Sequence, residues 1–157
     1  MLGILVCRTP EDALVQFKIA LLKQQHDEIL SAVAELTKLF AGSFEDAVPQ
    51  LGTARTTLAR LIAKHLKTEE EELHAPLRAR RLTTTQIPAF ADIAAETRDL
   101  RLAYSAHIGD WHARAVQADW SGYTASARRL HVALERLTRR EEEEIYPAAQ
   151  RLLSDLR

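Results

Sequence analysis

Apolar residues recur three and four positions apart over most of this chain, in four segments with recognisable starts and stops. Thr9-Pro10-Glu11-Asp12 opens the first: Thr9 is a capping residue, Pro10 suits the first turn and Asp12 completes a capping-box-like pattern. Val15, Ile19, Leu22, Ile29, Leu30, Val33, Leu36 and Phe40 follow at helical spacing, and Ala41-Gly42 ends the run. Ser43 to Gly52, with Pro49 inside it, reads as a turn into a second helix that carries Leu58, Leu61, Ile62 and Leu73 and is bent or ended by Pro76. Arg78 to Gln86 is the next connection, with Thr83, Thr84 and Thr85 as caps and Pro88 near the third helix's first turn. Ile93, Leu100, Ala103, Tyr104 and Trp111 line that helix, and Asp119 to Gly122 is the last break. Leu130, Ala133, Leu134, Leu137, Ile145 and Leu152 mark the fourth, with Pro147 near its end. The pattern predicts an all-α fold of four helices of about 25 to 35 residues in an up-down-up-down antiparallel four-helix bundle. Residues 1–8 are expected to form an N-terminal arm and residues 9–157 a single domain.

Composition narrows the function classes. The chain has 157 residues, room for one core without disulfides, and Cys7 is its only cysteine. Disulfide frameworks and CxxC redox or zinc sites are therefore excluded. Lys+Arg total 21 against Asp+Glu 22, so no overall cationic field attracts nucleic acid or anionic lipid. Met1 to Cys7 is apolar but lacks a basic flank and is too short for a signal segment, and no run reaches the roughly 18 apolar residues of a membrane span. These features predict a cytoplasmic protein with no membrane or nucleic-acid partner, monomeric or homodimeric, its arm packed on the domain surface or in a dimer contact. No nucleophilic triad, glycine-rich phosphate loop or reactive cysteine assembles, so an enzyme is the less favoured class.

The chemistry concentrates on histidines and glutamates. His65-Leu-Lys-Thr-Glu69-Glu-Glu-Glu72-Leu-His-Ala-Pro76 repeats as Leu137-Thr-Arg-Arg-Glu141-Glu-Glu-Glu144-Ile-Tyr-Pro147, with Glu69 matched to Glu141 and Leu137 in the place of His65. Residues four apart share a helix face, so His65 and Glu69 project toward one point, on the stripe of Leu58, Leu61 and Ile62. Four consecutive glutamates sweep about 300° of a helix, so each run turns at least one carboxylate inward, where it needs a compensating partner. Glu70, Glu71, Glu142 and Glu143 are then a solvated face. His26 and His107 lie on the apolar faces of the first and third helices. Counting residues to each turn brings His26, His65, His107 and Glu141 within about 12 Å of one level. His74, His112 and His131 fall off this stripe and are read as surface or boundary residues.

This constellation resembles the hemerythrin-like, or HHE cation-binding, family over about residues 10 to 155, most closely in His65-Leu-x-x-Glu69-Glu and Glu141-Glu-x-x-Ile-Tyr-Pro147. The resemblance implies a non-heme di-iron centre with His26, His65, Glu69, His107 and Glu141 as metal ligands. Leu137 stands where the family has a histidine, which points to one metal ion or an asymmetric pair. Nitrogen and carboxylate donors suit iron, with manganese or zinc as the other choices. Two functions follow as expectations. One is a metal-binding protein for oxygen, redox or iron sensing or for storage, with a small ligand such as dioxygen. The alternative is a helical interaction or regulatory module with a degenerate, metal-free site.

Overall fold

The computed structural model describes residues 10–82 and 86–154. The arm at residues 1–8, the Thr9 cap and the Thr83 to Thr85 caps lie outside them. All regular structure among the described residues is helical: α1 (Pro10–Leu39), α2 (Phe44–Glu69), α3 (Ala75–Ala79), α4 (Phe90–Asp110), α5 (Ala113–Ala118), α6 (Trp120–Arg140) and α7 (Tyr146–Ser154). A π-turn at Glu70–His74 runs α2 directly into α3, and a second at Glu141–Ile145 runs α6 into α7. None of these helices is long and apolar enough to cross a membrane.

Local chemistry explains where the elements begin. Residues 43–52, read as a turn, are helical from Phe44, because Ser43 and Asp46 form a reciprocal capping box that satisfies the first free N–H groups. Pro49 sits in the second turn and costs one ladder bond without breaking the helix. Asp119 accepts from the Gly122 N–H at 2.8 Å and starts α6, so Trp120 to Gly122 belong to the helix instead of to a break. Pro76 and Pro147 do not end their helices. Each directly follows a widened turn, closed by Ala75 N–H to Glu70 O in one case and Tyr146 N–H to Glu141 O in the other. A proline has no N–H to give and its ring crowds the carbonyl four residues back; a five-residue spacing relieves that clash.

The core has three tiers. Ile19 and Leu22 of α1 pack with Leu73, Leu77, Ile93, Leu137, Ile145 and Tyr146 at one end. Ile29, Leu36 and Phe40 pack with Leu51, Leu58, Tyr123 and Ala127 at the other. Between them on α1 lie Gln25 and His26, and between Leu58 and Leu73 on the second segment lie His65 and Glu69, all four buried. A polar layer thus interrupts the hydrophobic core, with α1 packed against α2, α6 and α7, and α4 against α6.

Candidate metal centre

His26, His65 and Glu141 each offer a ligand atom from a different helical segment, and these atoms lie within 4.8 Å of one another. His26 Nε2 is 3.1 Å from His65 Nε2 and 3.3 Å from Glu141 Oε2. Glu69 completes the group, with Oε2 3.8 Å from His65 Nε2. His26 is fully buried, and Glu69, Glu141 and His65 are at most 5% exposed. As the sweep of the glutamate runs requires, one carboxylate of each run turns inward. Each does so at a π-turn, but Glu69 precedes its turn whereas Glu141 begins its own. That one-residue offset is the extra residue before Pro76.

Outer hydrogen bonds orient both rings. Thr68 donates its hydroxyl to Lys64 O, so its oxygen accepts from Gln25 Nε2 at 3.1 Å. Gln25 therefore presents Oε1 to His65 Nδ1, which donates to it at 3.2 Å. His26 Nδ1 likewise donates to Glu142 Oε1 at 2.8 Å. With both Nδ1 protons committed outward, neutral rings would point their Nε2 lone pairs at each other beside a carboxylate, whereas a proton on His26 Nε2 would be donated to Glu141 or His65. Two opposed lone pairs and an anion need an electrophile between them, either a proton or a metal cation.

The electrostatics run the same way. Burial, reinforced by His26 and His74, drives His65 down to about 3, so it is neutral near pH 7. Burial alone would lower His26, but its bonds to Glu141 and Glu142 outweigh that and raise it. Burial, with repulsion from Glu141, raises Glu69 well above the ordinary carboxylate range despite a bond from Tyr146.

The third helix contributes differently from the sequence reading. His107 is not part of this group. Its Nδ1 meets Ser126 Oγ at 3.0 Å and its ring stacks on Tyr123, in the tier of Leu58 and Ala127. Thr97 is the α4 residue facing the layer, its hydroxyl 3.5 Å from Glu141 Oε1. His107 follows it by ten residues, about 15 Å along a helix. Counting residues through the connection before α4 missed this, because α4 begins only at Phe90 and ends at Asp110.

Three further corrections concern side chains near the layer. Glu142, read as solvated, holds His26. His131, read as surface or boundary, is buried with Nδ1 3.1 Å from Thr37 Oγ1. Tyr146, fully buried, donates to Glu69 Oε1 at 3.2 Å and lies 3.2 Å from His26 Nε2. The ring-before-proline repeat was its only signal in the sequence. By contrast, Glu70 pairs with Arg78, Glu71 with Lys67 and Glu144 with Arg140 at the surface, and exposed His112 caps α5. Leu137 is a core residue packed with Leu22 and Leu73.

Compared with known proteins, the chain matches no protein-family model, no curated protein and no solved structure.

Proposed function

We propose that this chain is an up-down-up-down four-helix bundle of the hemerythrin-like kind that binds a transition-metal ion, iron foremost, through His26, His65, Glu69 and Glu141. The observation that carries the reading is the pair of Nε2 atoms 3.1 Å apart beside the Glu141 carboxylate, with each Nδ1 bonded outward to an acceptor. A ligating histidine characteristically gives its other N–H to a carboxylate or carbonyl, which sets the tautomer and raises the basicity of the free nitrogen. The donor set of two imidazoles and two carboxylates fits iron, manganese or zinc. A bound metal cation supplies Lewis acidity and, if it is iron, one-electron redox chemistry suited to sensing or storage. Glu69 and Glu141 neutralise its charge, and Glu142 and Gln25 hold the two rings in register. Leu137, where a further histidine would complete a second set of donors, limits the site to one ion or an unequal pair.

A metal-free module is the second reading. It is favoured by one observation: every buried side-chain nitrogen and oxygen among the described residues has a hydrogen-bond partner, so a shared proton closes the cluster as well.

Metal analysis of protein purified without chelator, followed by anaerobic titration of stripped protein with ferrous ion, separates the two. Metal binding only to the folded state adds about 2.7 kcal/mol at a hundredfold excess over Kd, seen as a melting point several degrees higher. His65→Ala is expected to abolish that increment. Protein that is clean of metal and shows no ferrous-dependent shift sinks the metal reading in favour of the module.

A further inference from the structure

A cleft runs between α2 and α4, beside the polar layer, and it consists of two adjoining chambers. The first, about 290 Å³, is walled by apolar side chains, among them Ile62, Leu66, Leu100, Ile108 and Leu134, and ends at His65 and Glu141. The second, about 380 Å³, is lined by Arg55, Thr56, Tyr104, His107, Tyr123 and His131, among others. Ala59, Tyr104, Ile108, Leu130 and His131 border both, so the chambers adjoin. This geometry reflects the packing: α2 is held chiefly by α1, and α4 by α6, leaving the α2–α4 seam open.

Charge distinguishes the two ends. Among the described residues no carboxylate lines the second chamber, whereas the first has Glu141 and Arg101 in its lining. Arg55 is half-buried on its wall, fixed by a 2.8 Å bond from its guanidinium to Trp111 O and by stacking 5.3 Å over the Tyr123 ring. Among the described residues no acidic side chain pairs with it. Arg55 and Arg129 also act on His107, and Arg128 on His131; Asp110 is the one opposing charge there, and it lies outside the chamber lining. A half-buried guanidinium without a counter-ion carries a desolvation cost that a bound anion relieves through bidentate, charge-assisted hydrogen bonds.

We propose that this cleft binds an aliphatic monocarboxylate, its carboxylate on Arg55 and its hydrocarbon chain in the apolar chamber, directed toward His65 and Glu141. The cationic chamber selects the head group and the adjoining apolar walls select the tail. Tyr104, at the junction, lies beside the point where head gives way to chain. The inference does not depend on the metal reading, because neither Arg55 nor the apolar walls belong to the metal layer.

Calorimetric titration of the chelator-stripped full chain with decanoate, below its micelle concentration, tests the proposal without any metal. Saturable one-to-one binding is expected, with decyltrimethylammonium binding at least tenfold more weakly. Arg55→Gln is expected to weaken decanoate at least tenfold while leaving the melting curve of the free protein close to wild type. Ala59→Trp, which fills the junction, is expected to abolish binding. The head-group comparison uses unmodified protein, so it stands even where a variant folds poorly. Equal affinity for the two head groups, absence of saturable decanoate binding, or an unchanged affinity in folded Arg55→Gln overturns the proposal.

Discussion

The hydroxyl of Tyr146 donates to Glu69 Oε1 at 3.2 Å, joining the second helix to the start of the last one inside the polar layer. The two residues come from opposite halves of the sequence repeat. Where the half that begins at His65 offers a histidine, the half that begins at Leu137 offers this phenol, one residue before Pro147. Burial, with the charges of Glu69 and Glu141, pushes the Tyr146 hydroxyl far above its ordinary pKa, so it remains a donor throughout the working pH range.

Tyr146→Phe therefore removes a buried donor and leaves Glu69 Oε1 without its closest partner. In stripped protein the expected loss is about 1–3 kcal/mol, the cost of an unsatisfied buried acceptor. Urea unfolding of chelator-treated wild type and variant measures it. Coincident midpoints would show that Glu69 is held by its other neighbours alone.

Leu137→His tests the asymmetry between the halves. Leu137 is 4% exposed and packs into the tier of Leu22, Leu73 and Ile145, but its side chain also borders the apolar chamber next to Glu141 and Thr97. An imidazole there lies four residues before Glu141, on the same helix face. Without metal, the expected cost is about 2–4 kcal/mol for a polar ring replacing a packed leucine. With ferrous ion, metal per chain is expected to rise and part of that loss to be recovered. Equal destabilisation with and without metal, and no added metal, would mean that position 137 does not face the site.

His131 is expected to give the protein an acid sensitivity that is separate from the polar layer. Burial, reinforced by His107 and Arg128, holds its pKa down to about 4. In the unfolded chain the same ring takes up a proton near its ordinary value of about 6.5. Between these two values the unfolded state binds more protons, so stability falls as pH falls, by up to about 1.4 kcal/mol per pH unit for this one group. Above about pH 6.5 the effect vanishes. Thr37, which meets His131 Nδ1, is a neutral partner and does not offset it. His131→Gln is expected to keep the bond to Thr37 and to lose less stability than wild type between pH 7.5 and 5, measured as the change in urea midpoint. The same change in both proteins would contradict the assignment.

How much was legible in the chain varies by element. The helical class followed from spacing alone, because apolar residues at intervals of three and four can be buried together only on a helix. The inward turn of one glutamate per run followed from rotation about the helix axis, and Glu69 and Glu141 are the ones buried. The prolines misled. Pro76 reads as a bend or stop and Pro147 as a mark near a helix end, yet the chain stays helical through both, because each follows a π-turn that relieves the proline's clash.

What the sequence by itself determined is therefore the set of faces: His26, His65, Glu69 and Glu141 are inward because their helix positions share a stripe with leucines and isoleucines. Tertiary structure alone decided their level. The height of a residue in a bundle depends on where each helix starts and how far it slides against its neighbours, and an error of a few residues per connection accumulates at about 1.5 Å each. That is why Thr97, and not His107, faces Glu141 from α4. It is also why the partners that orient the rings came into view only in the structure: Gln25 and Glu142 act through bonds that join residues 40 and 116 positions apart, and no local spacing encodes a contact of that range.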